Sequence, residues 1–378
     1  MICFATCAFG LSGLVRDELL ALELPVLRVE DARVFFEADR PGVIRANLWL
    51  RCADRVFVEL GHFPAVTFEQ IYNGVRALPW HQLLPRDAAF TVTGKSALSK
   101  LFSVRDLQSL TKKAIADALM QAHRLSRCPE TGQAYSIEIG MLRDEATVAL
   151  NTSGPGLNRR GYRDLSAQAP LRETLAAAMV NLAYYHGDET LIDPCCGSGT
   201  IVIEAAMIAA HIAPGLLRTF AFDGWKNWQA DAQLLREQAR AQRRESGFAH
   251  LLAYDIDPKA VSMAWRHAKR AGVNGFIQFE QADAADLQLP MERGVIVTNP
   301  PYGERMRKED GEKVIRALRR IKDERPQLGV FAISSDDSFE SCFGRKADKK
   351  RKLYNGSIRC NLYMYMRGRK PRRVQGEK

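Results

Sequence analysis

From about residue 170 onward the chain alternates between short apolar runs of strand length and longer segments with helical spacing. "TLIDPC", "HLLAYDID", "IQFEQADA", "GVIVTNPP" and "LGVFAISS" read as strands, while "APLRETLAAAMVNLAYY", "GTIVIEAAMIAAHI", "PKAVSMAWRHAKRAG" and "EKVIRALRRIKDERP" read as helices. Strands separated by helices cannot pair as tight hairpins. The pattern therefore predicts an α/β domain with a mostly parallel sheet and helices on both faces. A Tyr-Asn-Gly turn signal near the end predicts a closing hairpin.

The first half has a different texture. Residues 1–60 read as a small α+β unit: a strand at "ICFATCAF", a helix at "GLVRDELLALEL", a strand at "ARVFFEAD", then helix into strand across "GVIRANLWLRCADRVFVELG". A second α+β unit, 45–155 with an overlapping boundary, has helices at "TFEQIYNGVRAL" and "SVRDLQSLTKKAIADALMQAH" and a strand at "AAFTVTGKS". It closes on an alternating hairpin pattern in "YSIEIGMLRDEATVALNTSG". Residues 156–170 lack apolar period and read as a linker into a domain spanning 160–378.

In an open parallel sheet, ligands bind beyond the carboxyl ends of the strands, and four consecutive strand ends here carry suitable chemistry. "LIDPCCGSGT" leaves a strand through Asp193 and enters a helix through Cys196, Gly197, Ser198, Gly199 and Thr200. Glycines let backbone approach a ligand, and a helix N-terminus offers free N–H groups to a carboxylate. The stretch is neither G-x-G-x-x-G nor a P-loop, which argues against a phosphate cradle. Asp255 in "AYDID" is placed to accept both hydroxyls of a ribose, and Asp283 in "QADAADL" to accept from an exocyclic amine. Each acid also lies at or just before a possible helix start, "DPKAV" two residues after Asp255 and "DAADL" at Asp283. The fourth end, "TNPPY", fixes φ twice at Pro300 and Pro301 and removes two N–H groups, leaving carbonyls and the Asn299 side chain as acceptors beside the Tyr302 ring. That is either a rigid strand terminator or a seat for a planar base bearing an NH₂.

The eight cysteines are scattered with no C-x-x-C spacing, so structural zinc is not expected and a reducing cytoplasm is. Cys195 or Cys196 could be a nucleophile, but the Asn-Pro-Pro-Tyr loop points to nitrogen chemistry, and Cys196 is expected to contribute backbone to the site. No apolar run reaches membrane-spanning length. The net charge of +10 is concentrated in what reads as a basic C-terminal tail: from Arg345 there are thirteen Lys+Arg against two acids. This stretch, with Lys349, Lys350, Arg351 and Lys352 among tyrosines, is a candidate for phosphate contact. So are Arg159, Arg160 and Arg163 of "RRGYR", the alternative for both being a solvated surface. Trp225 and Trp228 read as packing residues of an insertion.

These residues resemble a known family. "DPCCGSGT", "YDID", "ADA" and "NPPY" match the class I (Rossmann-like) S-adenosylmethionine-dependent methyltransferases. "LNRRGYR", "APLRETLAAAM", "TNPPYGERM" and "LYNGSIRCNLYMYM" resemble the THUMP-domain RNA methyltransferases, nearest the bacterial 23S rRNA guanine-N2 branch, RlmL and its shorter YpsC-like relatives. The resemblance implies a seven-stranded, mostly parallel catalytic sheet behind a ferredoxin-like piece and an RNA-binding THUMP domain. It implies S-adenosylmethionine as cofactor, held by Asp193, Cys196 to Thr200, Asp255, Asp283 and Asn299, with Asn299, Pro300, Pro301 and Tyr302 catalytic. Ribosomal RNA or a pre-ribosomal particle is the implied partner, with no metal and no membrane. Some members carry a second methyltransferase domain that this chain lacks, so a single modification is expected. Guanine-N2 methylation of tRNA, adenine-N6 methylation of RNA or DNA, and a non-catalytic RNA-binding role are the alternatives. Nothing in the pattern sets an oligomeric state.

Overall fold

The computed structural model describes residues 1–163, 171–289, 291–301 and 308–368. The chain divides into two compact units. The first comprises Met1–Cys7, Val15–Leu157 and Thr219–Glu237; the second comprises Ala8–Leu14, Asn158–Arg218 and Gln238–Lys378.

The first unit is built on a seven-stranded sheet. In chain order its elements are β1 (Ile2–Cys7), α1 (Ser12–Ala21, whose first turn belongs to the second unit), β2 (Val26–Glu30), β3 (Arg33–Glu37), α2 (Arg40–Trp49), β4 (Ala53–Pro64), α3 (Phe68–Arg76), α4 (Trp80–Leu83), β5 (Ala89–Ala97), α5 (Val104–His123), β6 (Ala134–Leu142) and β7 (Glu145–Asn151). The strand order is β2-β3-β1-β4-β7-β6-β5, antiparallel except for the β5–β6 pair. Long β4 pairs with both β1 and β7 and so carries one sheet across two groups of elements. Local chemistry explains the boundaries. A capping box between Thr67 and Gln70 starts α3, and Arg143 and Asp144, both at positive φ, make the tight turn between β6 and β7. The sequence pattern missed β2, an edge strand whose residues are at least partly exposed and carry no apolar alternation.

Residues 219–237 pack with this unit although they follow α7 of the other one in the chain. Trp225 is 2% exposed, donates its Nε1–H to the Ala134 carbonyl at 3.0 Å and stacks on Tyr135. Trp228 meets Trp225 edge-on and stacks on Phe222, so both tryptophans of the insertion pack, as expected.

The second unit contains α6 (Glu173–Leu182), β8 (Leu191–Asp193), α7 (Thr200–Ala209), the latter part of α8 (Gln229–Ala241), β9 (Leu251–Asp255), α9 (Pro258–Ala271), β10 (Ile277–Gln281), β11 (Gly294–Thr298), α10 (Lys308–Glu324), β12 (Leu328–Ser334), α11 (Phe339–Phe343), β13 (Lys349–Asn355) and β14 (Ile358–Tyr365). Its sheet runs β10-β9-β8-β11-β12-β14-β13. Five strands are parallel, and the closing hairpin is antiparallel. The strand order reverses at β8, so the crevice between the loops after β8 and β11 is the switch point where a ligand is expected. β11 and β12 are buried along their whole length, as a central parallel strand requires.

Three expectations need correction. "DAADL" starts no helix: Asp283 accepts from the Ala285 N–H at 2.8 Å in a single turn, because only six residues separate it from Pro290. The basic stretch at 349–352 is not tail but edge strand β13, paired with β14 along its length. The stretch read as a linker is partly core: Leu157, Arg160 and Tyr162 are buried, while its later part, 164–170, lies outside the described residues.

Candidate active site

The crevice at the switch point is a cavity of about 430 Å³ in the second unit, within the range of small-molecule sites. Asp193, Cys196, Gly197, Ser198, Thr200, Asp255, Asp283, Asn299, Pro300 and Pro301 all line it. Gly199, between Ser198 and Thr200, is not among the lining residues, and Tyr302 lies outside the described residues.

The loop after β8 is held by its own polar groups. Asp193 is 1% exposed; its Oδ1 accepts from the Thr298 hydroxyl at 2.8 Å and from the Cys195 N–H at 3.2 Å. Burial raises its carboxyl pKa to about 7, partly opposed by those two hydrogen bonds. The Asp193–Thr298 bond extends the β8–β11 ladder beyond its last pair and ties the two strand ends together. Cys196 donates its N–H to the Tyr254 carbonyl, and burial pushes both thiols of Cys195 and Cys196 well above their ordinary value. A thiol held that firmly protonated is a poor nucleophile, and what Cys196 gives to the wall is shape.

Two glycines in this loop do different work. Gly199, at φ +80°, sits where an added Cβ would come within 2.9 Å of the Ala264 Cβ on α9. Gly197, at φ +53°, would direct a Cβ into open space on the cavity side. The first lets two helices approach; the second keeps the cavity clear. Asp255 accepts from the Gly197 N–H at 2.8 Å with one oxygen and from the Asp257 N–H at 3.0 Å with the other. The capping of α9 falls to Asp257, which accepts from Lys259 N–H. Asp255 is thereby released from the cap role its sequence context allowed and stands half-exposed on the cavity wall.

The loop after β11 is unlike the first. Asn299 Oδ1 is buried yet has no hydrogen-bond partner among the described residues. A buried unpaired carbonyl is costly, about 1–3 kcal/mol, and on a residue that lines a cavity a ligand can supply the missing donor. The other side of this loop is closed by α10: an added Cβ on Gly311 would lie 2.9 Å from the Pro301 carbonyl, and Asp310, Lys313 and Val314 complete the wall. These α10 residues, with Ile256, Ala284 and Leu171, were not anticipated, since nothing in a helix 10 to 15 residues away in sequence marks it as facing the cavity. Thr298 was also missed, though a polar residue ending an otherwise apolar strand was a readable signal.

The arginines of "RRGYR" have separate fates. Arg160 does not face phosphate. It is 2% exposed and makes a two-pronged ion pair with Glu204 of α7, which also accepts from the Tyr162 hydroxyl. Arg163 is also turned inward: it pairs with Glu173 at 3.4 Å and donates to the Thr200 hydroxyl at 2.5 Å and the Leu171 carbonyl at 3.2 Å. Both acceptors belong to cavity-lining residues, so Arg163 braces the wall. Arg159 is exposed. On β13, Lys349, Lys350 and Lys352 are exposed. Lys350 pairs with Glu340 at 3.3 Å, and Arg351 donates to the Gly10 carbonyl.

Comparison with known proteins places this architecture. Residues 160–364 match the model of the RMKL-like methyltransferase domain, residues 3–57 the RlmL ferredoxin-like domain and residues 65–151 the THUMP domain. YpsC of Bacillus subtilis (strain 168), provisionally named an RNA methyltransferase, is 39% identical over 99% of this chain and 98% of its own. The ribosomal RNA large subunit methyltransferase K/L of Syntrophotalea carbinolica is 35% identical over 95% of this chain, which spans 52% of that longer protein. Among solved structures, a protein of Listeria monocytogenes described as a predicted N6-adenine-specific DNA methylase is 40% identical with a TM-score of 0.92, covering 97% of this chain and 96% of its own. SMU.472, provisionally named a methyltransferase and crystallised with SAH, is 38% identical with a TM-score of 0.91, covering 98% and 99%. The chain belongs to the RMKL-like methyltransferase family, its methyltransferase domain preceded by an RlmL ferredoxin-like domain and a THUMP domain.

Proposed function

We propose that the protein transfers a methyl group from S-adenosylmethionine to the exocyclic N2 of a guanosine in large-subunit (23S) ribosomal RNA. The observation that carries this reading is the buried Oδ1 of Asn299, a cavity-lining residue, which has no hydrogen-bond partner among the described residues. An acceptor there suits a substrate that brings an N–H donor.

The donor set fits the cofactor. The Asp255 carboxylate at the end of β9 suits ribose hydroxyls, with the exposed Ile256 beside it offering an apolar face to a base. Asp283 suits an exocyclic adenine amine, and the first N–H groups of α7 together with the cleared space at Gly197 suit a carboxylate. When bound, S-adenosylmethionine supplies an electrophilic methyl group. The chain's part is to position the acceptor. An exocyclic amine is a weak nucleophile because its lone pair is delocalised into the ring. Asn299 Oδ1, and the Pro300 carbonyl beside it, would accept its hydrogens and draw them out of plane, leaving the lone pair directed. This is an electrostatic and positional effect, and no strong base is needed, because the surplus N–H proton becomes acidic once the nitrogen has gained the methyl group and then passes to solvent. The target base must leave its helix to reach such a wall.

Adenine-N6 methylation is the second reading, since the same acceptors suit that amine and the Listeria structure is described in those terms. The test uses purified protein, S-adenosylmethionine and unmodified 23S rRNA transcript, followed by nucleoside mass spectrometry. N2-methylguanosine that disappears with Asn299→Ala is the expected product. N6-methyladenosine in its place would overturn the guanine assignment.

A further inference from the structure

The methyltransferase reading leaves one surface of the second unit unexplained, the outer part of the β13–β14 hairpin. We propose that this hairpin carries the single-stranded RNA that flanks the target base, a role that rests on the substrate reading above.

Position comes first. The hairpin's turn lies against the rim of the cavity: Arg172, next in sequence to the cavity-lining Leu171, donates its backbone N–H to Asn355 Oδ1 at 3.2 Å. An added Cβ on Gly356 would lie 3.8 Å from the Arg172 guanidinium. From that rim, one face of the hairpin leads away through Tyr354, which is opposed by Arg359, to Lys352.

Chemistry comes second. Arg172, Lys352 and Arg359 are exposed, and among the described residues none of them pairs with a carboxylate. This sets them apart from Lys350, whose charge is engaged by Glu340. Two aromatic rings are interleaved with the charges. Tyr354 is half-buried with Lys352 Nζ 5.7 Å from its ring centroid, and Phe9, 55% exposed, meets the Tyr354 ring edge-on at 6.4 Å. Unpaired cations spaced between partly exposed rings are what a single strand needs: charge for the phosphates and flat faces for unstacked bases. A base delivered to the cavity must be unstacked, and its neighbours then require such a surface.

Lysines on an edge strand have a bland explanation as well, blocking edge-to-edge sheet pairing. The experiment separates the two. Binding of a fluorescein-labelled U12 oligoribonucleotide to the full chain is measured by anisotropy across a salt series, with calorimetry of S-adenosylhomocysteine as a control for an intact cavity. Lys352→Ala combined with Arg359→Ala is expected to weaken U12 binding about tenfold and to reduce the salt slope by about 1.4, about 0.7 for each lost contact. Tyr354→Leu, which keeps the packing but loses the ring, is expected to weaken it about fivefold or more. Lys349→Ala, on the opposite face of β13, is expected to change it less than about twofold, as a solvated charge outside the path. S-adenosylhomocysteine affinity should be unchanged in all of them. Unaltered U12 affinity in the double and Tyr354 variants, or an equal loss in Lys349→Ala, would overturn the hairpin's role while leaving the methyltransferase reading standing. If the wild-type chain binds no U12 yet methylates duplex DNA, the hairpin's role and the RNA-substrate reading fall together.

Discussion

The loops that follow β8 and β11 leave adjacent strands of one sheet, yet they are built on opposite principles. After β8, Asp193, Cys195, Cys196, Gly197 and Gly199 spend their hydrogen-bonding groups on one another and on the neighbouring strand end. After β11, two prolines give no N–H, and the Asn299 acceptor has no partner among the described residues. The first loop is a finished mould, and its shape is what it would offer a ligand. The second is a rigid arm with an acceptor kept in reserve. The contrast teaches where chemistry and where affinity should reside: removing the reserve acceptor should harm turnover, and reshaping the mould should harm binding.

The largest effect is expected at the arm. Asn299→Ala should lower kcat by about 100- to 1000-fold, the scale on which preorganised polar contacts operate. Calorimetry should show S-adenosylhomocysteine affinity nearly unchanged. A variant that loses cofactor affinity in proportion to activity would erase the distinction between the two loops.

Next comes the mould, where its two glycines can be played against each other. Gly197→Val places a side chain in open cavity space, at a backbone cost of about 1–2 kcal/mol for leaving glycine at positive φ. It should weaken cofactor binding severely while the protein remains folded. Gly199→Ala drives a Cβ against α9, so its cost should appear chiefly as a lower melting temperature, with about 1–3 kcal/mol of overpacking added to the strain at φ +80°. If the two variants gave the same pattern in melting and calorimetry, the division of labour between these glycines would be wrong.

The tie between the loops is a smaller effect. Thr298→Val keeps the strand's shape and removes the hydroxyl that Asp193 Oδ1 accepts from. The loss should be about 1–3 kcal/mol of stability, read by denaturant titration, because a buried acceptor is left short of a donor. Since Asn299 follows directly, a fall in kcat larger than the fall in cofactor affinity should accompany it.

The smallest effect is in pH dependence. The Asp193 carboxyl is raised by burial from 3.8 to about 7 in the folded protein. Between those values the folded state binds more protons than the unfolded one, so this group's contribution to stability is full below about pH 4 and declines as pH rises towards 7. Subtracting the melting profile of Asp193→Asn from that of the wild type should leave this downward slope. A flat difference between pH 4 and 7 would mean that the hydrogen bonds from Thr298 and Cys195 outweigh burial.

Much of this was legible in the residues. The alternation of strand and helix patterns foretold the parallel sheet, and the four strand ends foretold the cavity wall, because a parallel sheet brings all its carboxyl ends to one edge whatever the loops contain. Local grammar went equally far in the first unit, where the pattern of "TFEQIYNGVRAL" announced α3. It failed where neighbours in space decide. β2 has no apolar alternation because it is an exposed edge. Arg160 looks like a solvated arginine until Glu204, buried on α7, claims it. Asp310, Lys313 and Val314 reach the cavity only because Gly311 lets α10 lie against Pro301.

The sequence by itself determined the fold class, the two textures of the chain and the identity of the strand-end residues, since periodicity, glycine and proline act through local geometry. The tertiary structure alone decided which polar groups are spent and which are left over: Asp193 tied to Thr298, Asp255 freed by Asp257, Arg163 turned inward and Asn299 Oδ1 without a partner among the described residues. Hydrogen-bond satisfaction depends on atoms far apart in the chain, so no pattern of near neighbours could have assigned it.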